Sequence, residues 1–247
     1  MWQKIRNRAM YARLNFSKAM LTAAKMKDIR GHLIYINDLG PDSLVIDLGA
    51  NEALFSKEMH ALCGCRCIVI EPNVHLFEQI NEDYISKFNY AITATDGPVE
   101  FYISNNKEAS SIIKDFEDRW GTKEKQTIEG LSFATLKSKL NIGKTIEVLK
   151  IDIEGAELDL IESLHSSDVQ NVKQISIEFH DWLDKALHDK TVRAIKKLVS
   201  LGFDAYTSAP AHDWPVEMLF LNRDLVQLQP KSKFFLSIFR NVTFLKY

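Results

Sequence analysis

The run Asp47-Leu-Gly-Ala-Asn51 puts a carboxylate, a glycine and an amide directly after the apolar stretch Leu44-Val-Ile46. A buried strand that ends in a small-residue turn and feeds an amphipathic segment is how a doubly wound sheet opens a cofactor pocket. Glu71 closes the next apolar run, Cys67-Ile-Val-Ile70. An acid at that strand tip can accept hydrogen bonds from both hydroxyls of a ribose. The loop does not suit a pyrophosphate, which needs the close backbone approach that several glycines give and a helix start free of negative charge. Here it reads Gly49-Ala-Asn-Glu-Ala53, with one glycine and with Glu52 where phosphates would lie. Asp47 would repel phosphate but can hold an ammonium group. A ligand joining an amino acid to adenosine fits, and S-adenosylmethionine is the common one; its sulfonium is cationic, so nearby carboxylates favour it.

A second dense motif is Lys150-Ile-Asp-Ile-Glu-Gly-Ala-Glu157, preceded by apolar Val148 and Leu149. Asp47, Glu71, Asp152 and Glu178 each end an apolar run, so all four are expected on the rim at the carboxyl ends of parallel strands, where open α/β sheets bind ligands. Ile177-Glu-Phe-His180, with Asp181-Trp182 after it, extends the cluster. His180 titrates near neutrality when unperturbed and could take a proton from an acceptor hydroxyl; the plainer reading is a half-buried turn residue satisfied by backbone. Asp152 and Glu178 could bind substrate, assist a base or hold a divalent cation through oxygen. Nothing in the sequence fixes their separation, and no metal ligand is assigned. The catalytic candidates are therefore His180, Asp152 and Glu178, with His180 or Asp152 as base and Glu178 orienting the acceptor. His212 and Asp213, beside Trp214 and Pro215, could line an acceptor pocket or form a surface loop.

The elements that must position these groups alternate. Strands are expected over 44–47, 66–71, 146–151, 174–179, 203–207 and 216–221, and helices over 52–62, 74–87, 131–140, 156–164 and 185–201. Helices between apolar runs imply parallel strands and right-handed crossovers, with the last pair antiparallel. Asp96-Gly97 predicts a hairpin between 89–95 and 99–103, and residues 104–127 a loop or lid. Two amphipathic stretches, up to residue 15 and over 17–36, predict an N-terminal helical extension (1–40) before the methyl-donor domain (41–225). A basic and aromatic C-terminal extension (226–247) follows; residues 230–247 would form a membrane-surface helix or a helix docked on the core or on another subunit. The cysteines, all in Cys63-Gly-Cys-Arg-Cys67, read as a helix-ending glycine with small apolar strand residues rather than as a metal cluster.

Composition adds limits. The 247 residues carry a net charge of −2, which offers no broad field for nucleic acid, and no N-P-P-Y-type segment is present to hold a flipped base. No apolar stretch approaches a membrane span, and the first residues lack the apolar core of a secretory signal, so a cytoplasmic location is expected.

Val45-Ile-Asp-Leu-Gly-Ala-Asn51, Ile70-Glu-Pro72, Asn89-Tyr-Ala-Ile92, Leu149-Lys-Ile-Asp-Ile-Glu-Gly-Ala-Glu157 and Ile177-Glu-Phe-His180 together resemble the FkbM-type methyltransferases, in the family's order, over residues 43–222. The resemblance implies a class I methyltransferase fold: an α/β, Rossmann-like, seven-stranded and mostly parallel sheet with helices on both faces. It also implies S-adenosylmethionine as cofactor and O-methylation of a hydroxyl on a sugar, glycan or related metabolite. Asp47, Gly49, Ala50 and Asn51 would border the methionine part, Glu71 would hold the ribose, and Ala91 would lie by the adenine. Asp152 and Glu154 would face the cofactor or acceptor. Ala53 departs from the family's usual glycine, which is harmless at ordinary helical angles and costly at positive φ. A catalytically silent binding or scaffolding protein is the alternative; a nicotinamide-dependent oxidoreductase is disfavoured by the missing glycines.

Overall fold

The computed structural model of the chain describes residues 21–104, 110–113, 121–181, 185–207 and 217–239. A hairpin comes first, β1 (Met26–Ile29) and β2 (His32–Tyr35). β3 (Leu44–Leu48) then leads through α1 (Leu54–Cys63) to β4 (Arg66–Ile70), and α2 (Val74–Gln79) leads to β5 (Ile85–Phe88). A small sheet follows: β6 (Ala91–Ile92), β7 (Gly97–Ser104) and β8 (Thr122–Leu131). Next come α3 (Phe133–Lys139), β9 (Val148–Ile151), α4 (Glu157–Ser163), α5 (Ser166–Val169) and β10 (Gln174–Glu178). The last elements are α6 (His188–Ser200), β11 (Phe203–Tyr206), β12 (Glu217–Asn222) and α7 (Pro230–Phe239).

The main sheet has seven strands in the order β11-β12-β10-β9-β3-β4-β5. All neighbours pair parallel except β12, which runs antiparallel to both β10 and β11. From β3 the chain proceeds outward to β4 and β5, then returns to β9 on the other side of β3. The crevice between the carboxyl ends of β3 and β9 is therefore the switch point where such sheets bind ligands. Alternation along the strands sorts the core into two faces. Ile46, Leu48, Leu149, Ile151, Ile175 and Ile177 pack with residues of α3 to α6, while Val45, Val69 and Val148 pack with Phe55 and Met59 of α1 and with Ile29 and Ile34 of the hairpin. Each fully buried Leu, Ile or Phe stabilises the fold by roughly 1.5–3 kcal/mol.

Local signals set several boundaries. Gly64, at φ 71, closes α1 with its N–H donated to His60 O. Asn73 caps α2 by accepting from His75 N–H, and Ser132 caps α3 by accepting from Thr135 N–H. Cys65 and Cys67 are buried apolar-type residues at the head of β4.

Four expectations are corrected. The helix expected over 17–36 is a hairpin from Met26 onward, because Arg30 and Gly31 both take positive φ (56° and 89°) and make the two-residue turn that matches strand twist. The helix expected over 74–87 ends at Gln79, and Ile85–Phe88 instead extends the sheet beside β4. The strand expected at 89–95 does not pair with β7; residues 91–92 pair parallel with β8, and β7 pairs antiparallel with β8. Of the expected loop over 104–127, residues 104 and 122–127 are strand and residues 110–113 return across β7 through a Tyr102–Ser111 bridge, while residues 105–109 and 114–120 lie outside the described residues. The helical stretch expected before residue 15, the loop with His212 and Asp213, and residues 240–247 lie outside the described residues. Among the described residues no helix is long and apolar enough to cross a membrane.

Ala53 sits at φ 55, ψ 28, in the left-handed region, and is fully buried. Left-handed geometry costs an L-residue about 1–2 kcal/mol, whereas the buried methyl contributes about 0.8 kcal/mol. Ala53→Gly is therefore expected to raise stability by up to about 1 kcal/mol, read as a higher urea midpoint at unchanged m-value.

Candidate active site

The site is organised around a lysine that should not be tolerated where it lies. Lys150 is in the middle strand of the sheet, only 4% exposed, on the face that also carries Val148. Register places it directly beside Asp47 of β3 on one side and Ser176 of β10 on the other. Its ammonium lies 3.1 Å from Asp47 Oδ1 and 3.2 Å from Asp152 Oδ2, and donates to Gly49 O at 2.8 Å. The second Asp47 oxygen accepts from Ser56 Oγ of α1 at 2.8 Å. Burial disfavours the charge on Lys150, but the facing carboxylates outweigh it and hold the ammonium above its ordinary range. Asp152 is likewise opposed by burial, yet Lys150, His32 and His180 keep it well below the usual carboxylate range.

This arrangement relocates two expected site residues. Asp47 does hold an ammonium group, but it is that of Lys150, and Asp47 is fully buried behind the cleft wall. Ala50 is also behind the wall, its N–H donated to Ile70 O. Gly49 itself faces the cleft at φ 75, and a Cβ there would fall 1.8 Å from Asp152 O. The loops after β3 and β9 touch backbone to backbone, so only glycine fits.

The cleft opens at the switch point. Gly49, Asn51 and Glu71 line it on the β3–β4 side, Asp152 and Glu154 on the β9 side, and Tyr90, Ala91, Phe101 and Ile112 supply apolar walls. Glu71 accepts from Asn51 N–H at 2.6 Å and Asn73 N–H at 2.8 Å, one bond on each oxygen. Each oxygen keeps a lone pair for a further donor. Burial pushes its pKa up to about 7 despite those two N–H groups. Asn89 holds the turn by donating to the carbonyls of Glu71 and Pro72.

Beyond the cleft the rim becomes a crowded charge cluster. His180 is 6% exposed, with Nδ1 3.0 Å from Glu157 Oε1. Glu157, 1% exposed at the start of α4, is itself fixed by the N–H groups of Ile153 and Gly155. The other imidazole nitrogen faces Glu154 at 3.3 Å, Asp152 at 3.8 Å and Glu178 at 4.0 Å. Burial disfavours the imidazolium, but Glu157, Glu154 and Asp152 together raise the His180 pKa to about 10. His180 is therefore charged at neutral pH, a donor and not the free base that an ordinary histidine would be. Burial and the neighbouring acids push Glu154 up to about 8 and Glu178 to about 7. Glu154 also sits at φ 53, a strained setting of the kind found at functional sites.

The structure thus brings Gly49, Asn51, Glu71, Ala91, Asp152, Glu154, Glu178 and His180 to one rim and cleft, and leaves Asp47 and Ala50 behind it. Sequence reasoning missed Lys150 as the anchor, Glu157 as the partner of His180, and above all His32. The hairpin carries His32 onto the same rim, Nε2 3.7 Å from Asp152 Oδ2. The available signal was Arg30-Gly31 between two short apolar runs.

Strand order, switch-point cleft and strand-tip acid define a class I methyltransferase, whose methyl donor is S-adenosylmethionine. The chain belongs to the FkbM methyltransferase family: the model of the methyltransferase FkbM domain matches residues 47–204. Among solved structures it is similar to precorrin-6y C5,15-methyltransferase from Geobacter metallireducens GS-15, at 10% identity and TM-score 0.40, over 83% of this chain and 88% of that one. It is also similar to the fibrillarin pre-rRNA processing protein of Methanococcus jannaschii, at 14% identity and TM-score 0.44, over 83% and 74% of the two chains. Aeropyrum pernix fibrillarin, solved with natively bound S-adenosyl-L-methionine, matches at 11% identity and TM-score 0.39, over 74% and 66%. No curated protein matches the sequence. The residues present fit the cofactor: a buried carboxylate with lone pairs to spare suits a ribose, apolar walls suit an adenine, and the acidic rim suits a sulfonium.

Lys150→Met would leave Asp47 and Asp152 facing each other without their cation. Removing one partner of a buried ion pair costs about 3–5 kcal/mol, and a loss of that size in denaturant unfolding is expected.

Proposed function

We propose that this protein transfers the methyl group of S-adenosylmethionine to a hydroxyl of a sugar, glycan or related metabolite. The observation that carries the reading is the rim where Asp152, Glu154, Glu178 and His180 converge beside the cleft: hydroxyl-rich acceptors are gripped by carboxylates, and the transfer needs a proton acceptor. Glu71 would hold the ribose, Gly49 and Asn51 would border the methionine part, and Ala91 would lie by the adenine. Bound there, the sulfonium supplies an electrophilic methyl carbon. The acceptor oxygen would take that methyl group from the sulfur and give up its own proton to the enzyme.

Glu154 is the residue suited to receive that proton. It borders both cleft and rim, and its pKa of about 8 matches a proton acceptor working near neutrality, whereas His180 already carries its proton. The base role expected of His180 or Asp152 thus passes to Glu154. His180 donates to the acceptor oxygen, and Asp152 and Glu178 orient the acceptor. Alignment of the hydroxyl with the methyl carbon supplies the rest of the rate.

Glu154→Gln is expected to lower kcat about 10²–10⁴-fold against the hydroxylated acceptor that wild type turns over best, with S-adenosylhomocysteine affinity retained. Radiolabelled methyl transfer across a panel of sugars and glycans measures it; undiminished turnover removes Glu154 from the chemistry.

Glu71 gives a pH signature. Its folded pKa of about 7 lies above the ordinary carboxyl value of 4.5, so its contribution to the free protein's stability is fully present below about 4.5 and lost as pH rises through about 7. Ribose hydroxyls donate to the ionised form, so S-adenosylhomocysteine should bind more tightly at pH 8 than at pH 6, with net proton release. Calorimetry in buffers of different ionisation enthalpy reads both. Affinity that is flat or falls over that range counts against the ribose role.

A further inference from the structure

We propose that the rim also binds a hard divalent cation, Mg²⁺ or Mn²⁺, through His32 Nε2, Asp152 and Glu178. These side chains come from β2, from the turn after β9 and from the end of β10. Their ligating atoms all lie within 4.8 Å of one another. Around an octahedral ion with bonds of about 2.1 Å, neighbouring ligand atoms are about 3 Å apart and opposite ones about 4.2 Å apart. Small side-chain rotations bring this trio into that range.

Two carboxylates alone would be accounted for by acceptor binding. His32 is the independent observation. Its side chain is 2% exposed and packs edge-on against Phe55, with ring centres 5.4 Å apart. Nδ1 pairs with the buried Ser176 Oγ at 3.2 Å, which fixes the ring and turns Nε2 onto the rim. Nε2 faces Asp152 Oδ2 at 3.7 Å, longer than a good hydrogen bond, so two of the three candidate ligands already point at one another. Metal-bound histidines have this arrangement, with the far nitrogen tied to an acceptor and the near one aimed at the ion. Asp152 is oriented in advance by Lys150, whose charge is shared with Asp47. The Asp152 and Glu178 side chains are 23% and 31% exposed, so the ion would keep an aqueous face with open positions.

A nitrogen and two carboxylates with positions to spare suit Mg²⁺ or Mn²⁺ rather than a closed structural zinc site. Resting on the methyl-transfer reading, those positions would take acceptor oxygens and lower the pKa of the hydroxyl to be methylated. Cation binding itself does not depend on that reading.

The test is titration of chelator-treated, full-length protein with Mn²⁺ while S-adenosylhomocysteine binding is measured on the same preparation. One Mn²⁺ per chain is expected, with nitrogen coupling from a directly bound imidazole in pulsed electron paramagnetic resonance. His32→Gln should abolish that coupling and weaken Mn²⁺ binding about tenfold or more, with S-adenosylhomocysteine affinity unchanged. No Mn²⁺ binding at millimolar concentration, bound Mn²⁺ without nitrogen coupling, or coupling that survives in His32→Gln overturns the proposal. If His32→Gln fails to fold, the wild-type spectrum still decides whether an imidazole binds the ion. Mn²⁺ bound as described but no affinity for S-adenosylhomocysteine would sink the methyl-transfer reading and leave the cation site standing.

Discussion

The ammonium of Lys150 between Asp47 and Asp152 is the constraint on which the rest of the site depends. A central strand of a parallel sheet is normally apolar on both faces. Here one face carries a polar row across three neighbouring strands, Asp47, Lys150 and Ser176, with Ser56 of α1 and His32 of β2 closing it from above. Such a row is tolerated only when its charges are paired and its lone pairs used, because a half-satisfied buried network is worse than an apolar core. Lys150 supplies the charge pairing and ties the turns after β3 and β9 together through Gly49 O. The switch-point crevice is therefore held by charge, with Gly49 fitted against the Asp152 carbonyl.

The same electrostatics divides labour among chemically similar groups. Two histidines approach Asp152 from opposite oxygens, His32 at 3.7 Å and His180 at 3.8 Å. Burial dominates for His32 and lowers its pKa, leaving a neutral ring. His180 is also buried, but Glu157 behind it and Glu154 beside it keep it charged. The carboxylates separate in the same way: Asp152, against Lys150, stays ionised, while Glu154, raised by burial and the surrounding acids, sits where a proton can come and go. Environment assigns the roles that residue type alone leaves open.

Much of this was legible in the sequence, and for a physical reason. β3, β4, β9 and β10 are short apolar runs buried on at least one face, and each is followed by an acid or a small-residue turn, so their order and the rim they share could be read directly. Composition cannot say which way a side chain at a strand end points, and Asp47 illustrates it: one residue inside the strand tip, it turns to Lys150 and not to the cleft. Elements whose stability is tertiary were misread. Residues 26–35 have apolar spacing that serves a helix or a hairpin, and the decision lies in the positive φ of Arg30 and Gly31 and in packing against β10 and β12. β8, with mostly exposed residues along its first half, has too little apolar pattern to be seen without its partner β7. His32 was missed because its importance comes wholly from where that hairpin docks.

Residues 26–35 lie upstream of the stretch matched to the family, yet they contribute the roof of the rim. The rim is thereby assembled from two stretches of chain, one of them ahead of the matched residues. A change confined to the His32 side chain would therefore alter the rim beside Asp152 while leaving Gly49, Asn51 and Glu71, which line the cleft, in place.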